Sequence, residues 1–482
     1  MGKKNETQGK YMYLIKNMGL LTLSNFATKL LSFFLVPLYT NVLTTAEYGT
    51  YDLLYTTINL LVPVLTLDIQ EGVLRFAMDK DADHDNIFKI GLKYVALSAL
   101  IVLMLIVVNS VLGFSSSLKE YAAEFLLLYC INAFSAFLTY YIRGTSKVKD
   151  LSISSVISST IIIFANIAFL VVFKWGLKGY FYAYILGGLA QCIYLVLKGN
   201  CARAFRKKGS NVNLEKNILE YSKPMIANAI SWWVNSASDR YVVTWICGVA
   251  VNGIYSISYK IPTILNVLQS IFGQAWTLSA VKNFDREDKN NFFINVYELF
   301  NFFLVCACSF LILTDKIIAR LLFASDFYVA WKYAPFLLIS TIFSGLSAFI
   351  GGLLSAMKMS STFAKTSVIT AVVNTILNIV LIYFVGAQGA AISTAVAYFM
   401  MWVFRLYEIK KVMRLKVNIQ RDGFVYCLLV VQAFLVVCDK SDSLLNFSAA
   451  GLMILIVFIN YNCLMRLCIK GRSYIKKLKH KV

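Results

Sequence analysis

Three basic side chains and one acidic one interrupt otherwise apolar runs: Lys29, Arg240, Lys260 and Asp239. A charge near mid-bilayer costs about 2.5 to 3.5 kcal/mol on insertion scales, so it persists mainly where water, a partner or a ligand meets it. Asp239 and Arg240 are sequence neighbours, about 100° apart on a helix, and do not face each other. Asp239 is therefore expected to pair with Lys260 across the hairpin of two consecutive spans, which leaves Lys29 and Arg240 without a nearby partner. Two unpaired cations in a cavity attract an anion, and the planar fork of an arginine suits phosphate oxygens. The alternative is a structural ion pair, with Lys29 snorkelling to the interface. Glu298 is a further acidic residue within a span, either a coupling group or counter-ion, or a side chain turned to the protein interior, and Asp239 is the other candidate coupling group.

Polar residues surround these charges at helical spacing. Thr22, Asn25, Lys29 and Ser32 form one stripe, and Asn228, Ser231, Asn235 and Asp239 repeat it 206 or 207 residues later. Asp52, Tyr55, Thr56, Asn59, Thr66 and Gln70 form a second stripe, matched at an offset of 204 by Ser256, Tyr259, Lys260, Thr263, Ser270 and Gln274. In lipid such faces turn to a bundle interior or to water. Asn25, Tyr55, Asn59, Gln70, Asn235, Asp239, Tyr259 and Gln274 are the expected cavity lining. Interhelical hydrogen bonding, worth about 0.6 kcal/mol per contact, is the plainer reading, and Asn132, Ser135, Thr139 and Arg143 or Ser367, Thr370, Asn374 and Asn378 form stripes as well. Trp232, Trp233, Tyr241, Tyr255 and Tyr259 add aromatic surface, suited to a sugar face or an apolar drug, or to plain core packing.

The elements that must position these residues are membrane helices. The 482 residues are 59% hydrophobic and 15% charged, with a mean hydropathy of +0.68, too apolar for a soluble domain. Fourteen apolar runs are long enough to span, beginning near Asn17, Tyr48, Ile87, Lys119, Leu151, Gly176, Leu219, Gly253, Lys289, Tyr333, Thr362, Gly386, Gly423 and Leu444. Pro63 and Pro262 interrupt spans two and eight and permit kinks. The first run is full length and is expected to stay as span one rather than to be cleaved as a signal.

The net charge of +21 follows the positive-inside pattern, not a nucleic-acid patch. Lys119, Lys174, Lys178, Lys316, Arg320, Lys332 and Lys440 fall outside, whereas Arg203, Arg206, Lys207, Lys208 and the tail lysines 476, 477, 479 and 481 cluster inside. Both termini are thus expected in the cytoplasm, with anionic lipid headgroups as partners. The polar stretch from Lys198 to Glu220 divides the chain. The expected organisation is an N-lobe (1–200, spans one to six), a basic linker (201–218), a C-lobe (219–415, spans seven to twelve) and two further spans with a basic tail (416–482). Gly49, Tyr51 and Tyr55 open span two as Gly253, Tyr255 and Tyr259 open span eight. Such parallel repeats of transporters are related by a pseudo-twofold axis along the membrane normal, with the substrate site near mid-bilayer.

No cofactor is expected. Ten cysteines lack paired metal spacing, and the only histidines, His84 and His480, lie in cytoplasmic segments, so a histidine metal site or triad is not indicated. The mixed-charge run from Asp79 to Asp85 reads as a solvated loop. A phosphate-binding loop of the G-x-x-x-x-G-K-[ST] kind is absent from the sequence, which argues against ATP as direct fuel.

Leu30 to Phe76, Tyr221 to Trp276 and Phe323 to Leu337 (FASDFYVAWKYAPFL) resemble the polysaccharide transporter family, the O-antigen and capsule lipid flippase branch of the multidrug/oligosaccharidyl-lipid/polysaccharide exporter superfamily. The resemblance implies an all-α integral membrane protein of about fourteen helices, with two six-helix lobes around a cationic cavity and two C-terminal helices. It further implies a substrate of undecaprenyl-pyrophosphate-linked oligosaccharide, moved to the outer leaflet by alternating access. The resemblance implies basic residues in spans one, two, seven and eight; Lys29, Arg240 and Lys260 match that habit, whereas span two departs from it with Asp52 and no mid-span base. A polysaccharide polymerase and glycosyltransferases are the implied partners. Two other readings stand beside it: a cation-coupled multidrug exporter, which favours an acidic cavity, and a membrane glycan polymerase or glycosyltransferase, which calls for a larger extramembrane loop than these.

Overall fold

The computed structural model describes residues 33–79, 81–199, 201, 211–282, 288, 291–357, 359–439 and 446–461, with backbone alone at 274, 275, 277–282 and 360. The protein is an all-α integral membrane protein. Among the described residues nine helices are long and apolar enough to cross a bilayer. They are spans three (His84–Leu112), four (Ala122–Gly144), five (Val148–Val172), six (Gly176–Gly199), nine (Phe292–Leu322), ten (Ala334–Ala356), eleven (Ser360–Val385), twelve (Ala387–Val412) and thirteen (Ile419–Cys438).

Four more of the expected spans hold helix, in six segments. Span two is broken into Thr45–Leu65 and Ile69–Ala77, bent by 59°. Span seven is one 36-residue helix, Val212–Cys247, whose polar stripe dilutes its hydropathy. Span eight is split into Val249–Ser258 and Pro262–Lys282, and span fourteen begins as Phe447–Ile459. Span one lies outside the described residues up to Phe33; a short helix, Val36–Val42, follows it.

Local chemistry sets the ends and the break of span two. Thr44 and Glu47 form a reciprocal capping box, with Glu47 N–H donating to Thr44 Oγ1 at 3.2 Å and Thr44 N–H to Glu47 Oε2 at 2.8 Å, which satisfies two of the helix's otherwise unpaired donors. Near the other end, Pro63 supplies no N–H to the helical ladder. The chain then turns through Leu67 and Asp68, both at positive φ (55° and 49°), a conformation uncommon for such residues. Gln70 holds the turn, donating to Asp68 Oδ1 at 2.7 Å and accepting from Thr66 Oγ1 at 3.3 Å.

The chain forms two compact units: residues 1–253 with 324–326, and residues 254–323 with 327–482. In the first, span seven packs on spans two and three. A Cβ added at Gly72 would overlap Ser222 Oγ, and Lys93 and Tyr94 grip Glu215 at 2.7 and 2.8 Å. Gly49 and Gly253, paired in sequence by the internal repeat, meet each other. A Cβ on Gly253 would overlap the Thr45 carbonyl, and one on Gly49 the Val249 carbonyl. Span seven and the first residues of span eight thus belong to the first compact unit.

This close approach makes Gly253→Val an overpacking change, expected to cost about 1 to 3 kcal/mol. It should lower the melting midpoint of the purified protein in detergent, whereas Gly423→Ala, with open space around its Cβ, should not; equal midpoints for the two variants would contradict the contact.

In the second unit span ten is the central helix, 89% of its apolar window buried. Spans nine and thirteen run parallel, joined by polar pairs at nearly constant separation. Arg421 reaches Glu298 at 3.3 Å, Tyr426 donates to Asn301 at 2.9 Å, Ser309 donates to Gln432 at 2.8 Å, and Lys316 reaches Asp439 at 3.3 Å. Arg405 of span twelve is buried and donates to the Ser347 carbonyl, Thr366 Oγ1 and Ser367 Oγ, tying spans ten, eleven and twelve.

Candidate substrate site

The first unit carries a charged cluster inside the membrane helices. Arg240 Nη1 of span seven lies 3.2 Å from Asp52 Oδ1 of span two, and the same nitrogen donates to Thr56 Oγ1 at 3.0 Å. Two further residues of span seven, Trp233 two turns earlier and Tyr241 next in sequence, add ties to span two. Trp233 Nε1 donates to the Thr56 carbonyl at 2.9 Å, and the Tyr241 hydroxyl lies 2.6 Å from Thr57 Oγ1. The Trp233 and Tyr241 rings pack at 5.3 Å. Both charged side chains keep some exposure, 19% for Arg240 and 11% for Asp52, so the pair is sheltered but reachable.

The expectation that Arg240 lacks a nearby acidic partner is therefore corrected. The sequence reading paired charges by chain order, within the hairpin of spans seven and eight, whereas the carboxylate comes from the opposite repeat. The signal was present in Asp52 itself, since a carboxylate within a span calls for a cation. Asp239 is buried, and its Oδ1 accepts the Arg240 backbone N–H at 3.0 Å. Lys260 itself is half-buried at the break of span eight, residues 259–261.

The remaining expected lining divides. Tyr55 is half-buried, its ring stacked on Tyr51 at 5.7 Å, and Asn59, which shares a side-chain hydrogen bond with it, is exposed. Gln70 is buried in the bend of span two, and Asn235 is buried and donates to the Ser231 carbonyl of its own helix at 2.9 Å. In the second unit Tyr259 is half-buried, its hydroxyl 3.1 Å from that of Tyr255. Asn25 and Lys29, with Thr22 and Ser32, lie outside the described residues, as does the Gln274 side chain.

Glu298, expected as a coupling group or counter-ion, is bound by Arg421, whose Nε also donates to Asp422 Oδ1 at 2.9 Å. This makes it a counter-ion at one end of the nine-to-thirteen seam. Sequence reasoning missed Arg421 because it sits at the edge of an apolar run, where a base reads as an interfacial residue.

Among the described residues no three His, Cys, Asp or Glu side chains converge as a metal site. What the cluster offers is a forked cation beside a hydroxyl and an indole, already holding one oxyanion in place. An arginine N–H that donates to a carboxylate oxygen donates to a phosphate oxygen with the same geometry.

A family model described as polysaccharide biosynthesis protein matches residues 14–277, which include both members of the pair. The chain is 22% identical over 214 residues to the probable low-salt glycan biosynthesis flippase Agl15 of Haloferax volcanii, a match covering 43% of this chain. That match spans less than half, 45%, of the curated relative. Among solved structures, the lipid II flippase MurJ in an inward closed conformation has a TM-score of 0.68 at 15% identity, over 93% of this chain and 99% of that one. An inward-facing multidrug resistance transporter of the MATE family, MOP superfamily, has a TM-score of 0.64 at 15% identity, over 81% and 95%. At such identities the likeness is one of fold.

Proposed function

The chain belongs to the family of polysaccharide biosynthesis proteins, and from that premise we propose that it is a transporter, not an enzyme: a flippase moving undecaprenyl-pyrophosphate-linked oligosaccharide units across the cytoplasmic membrane by alternating access. The product would serve a surface polysaccharide such as O-antigen or capsule, and both termini would lie in the cytoplasm. The observation that carries this reading is the family match across residues 14–277, which encloses the Asp52–Arg240 pair.

The pair suggests how a pyrophosphate is taken up and let go. Arg240 alone in the membrane would be costly, and Asp52 offsets that cost while the site is empty. A pyrophosphate oxygen competes with Asp52 for the same guanidinium, and Thr56 stays in reach of either partner. When the lipid-linked unit leaves, Asp52 reclaims the arginine, so the site does not trap its cargo. Lys29 and Lys260 are the further proposed phosphate contacts, and Tyr55, Asn59 and Tyr259 the proposed sugar contacts. Asn25 and Gln274 stay with them from the sequence alone. Gln70 and Asn235 remain in the proposed lining, each giving its amide nitrogen to a group of its own span in this conformation. Glycosyltransferases would load the lipid on the cytoplasmic side and a polymerase would act beyond the membrane.

Depleting the protein from cells that make the glycan tests this directly. Lipid-linked repeat units should accumulate where only a reagent admitted to the cytoplasm can oxidise their sugars. Units that still reach the outer leaflet at the normal rate would refute the assignment.

A further inference from the structure

Span nine carries a carboxyl that nothing above uses. Asp315 lies two turns before the helix's C-terminal end, its residue is 0% exposed, and among the described residues neither carboxyl oxygen has a hydrogen-bond partner. Its neighbour Lys316 is engaged elsewhere, 3.3 Å from Asp439 Oδ2 and 4.9 Å above the Trp331 ring. The other charged or titratable groups near this end are few. Arg320, one turn on, is exposed, and so is Cys438 at the end of span thirteen. Lys332 Nζ lies 6.0 Å from the Trp331 ring centre, and Tyr333 caps the start of span ten. The helical residues of span ten and of Phe447–Ile459 bring no charge, Pro262–Lys282 brings only Lys282, and Arg421, Asp422 and Tyr426 of span thirteen sit at its opposite end.

A buried carboxylate is ordinarily paired or hydrogen-bonded. This one is neither, and among the described residues no cluster of metal-ligating side chains surrounds it. The ligand that a single enclosed carboxyl can hold is a proton. We propose that Asp315 is a proton-binding site that couples transport to the proton gradient: one carboxyl oxygen holds the proton in this conformation and gives it to water when movement of span nine opens the site. The coupling half of the proposal rests on the flippase reading; the proton itself does not.

Infrared difference spectroscopy on the full-length protein in vesicles, at neutral pH, reads the proton without any transport. The carboxylic-acid carbonyl band of the wild type should disappear in Asp315→Asn and persist, shifted, in Asp315→Glu. A wild-type band unchanged by Asp315→Asn would overturn the proposal. In vesicles with an imposed pH gradient, the wild type should move fluorescent lipid-linked oligosaccharide faster than without one, and Asp315→Asn should lose that stimulation. Full stimulation in Asp315→Asn would overturn the coupling. If the wild type moved no lipid at all, the flippase reading would fall while the infrared result still decided the site.

Discussion

Arg240→Ala should abolish most transport and also destabilise the protein, and a second substitution should separate the two effects. Charged hydrogen bonds of this kind contribute about 1.5 to 3 kcal/mol each, so losing the grip on a pyrophosphate should slow transport by roughly ten- to a hundredfold. Truncating Arg240 also removes the cation that Asp52, 8% exposed, is built to face. Breaking a buried ion pair from one side costs about 3 to 5 kcal/mol, because the other charge stays behind. The double variant Asp52→Asn with Arg240→Ala removes that charge. Its melting midpoint should recover towards the wild type while transport stays lost. Arg240→Lys keeps the charge without the fork and should fall between. Recovery of transport in the double variant would mean that Arg240 serves only to neutralise Asp52.

The second large effect is expected at the seam of spans nine and thirteen, and on stability alone. Arg421 faces Glu298 at 3.3 Å and Asp422 at 2.9 Å, with the Asp422 side chain almost wholly buried. Arg421→Ala leaves two carboxylates facing each other without that guanidinium, and should destabilise the purified protein by on the order of 3 kcal/mol or more. Glu298→Gln in the same background should restore part of the loss. Glu298→Gln alone should leave the response of transport to an ion gradient intact, since Glu298 is a counter-ion here. Loss of that response would return Glu298 to the coupling role that its position in an apolar run first suggested.

Helix positions were legible because hydropathy over a bilayer's thickness is a strong, local signal. Thirteen of the fourteen expected spans have helix where the sequence placed them, and the repeat-related glycines Gly49 and Gly253 proved to be neighbours. The polar stripes were harder to read. Period alone shows that Asn235 and Gln70 share a face with charged residues. It does not show that Asn235 bonds its own helix, or that Gln70 is consumed by a turn through Asp68. Charge pairing was least legible. Asp239 and Lys260 are joined by a short hairpin and so suggested themselves, yet Arg240 chose Asp52 because spans two and seven pack together along much of their length. Asp315 passed unnoticed for the opposite reason: it adjoins Lys316 in sequence, and only packing shows that the lysine points to Asp439 and Trp331.

The central claim is that this chain alone carries lipid-linked oligosaccharide across a bilayer. Purified full-length protein in vesicles, given fluorescent undecaprenyl-pyrophosphate oligosaccharide in both leaflets and an external quencher of the headgroup, measures it. Active vesicles should lose most of the fluorescence as inner-leaflet lipid is delivered outward, protein-free vesicles should lose only the outer half, and Arg240→Ala vesicles should pass that half far more slowly than the wild type. Quenching equal to that of protein-free vesicles, or the appearance of new glycosidic bonds in the recovered lipid, would contradict the account.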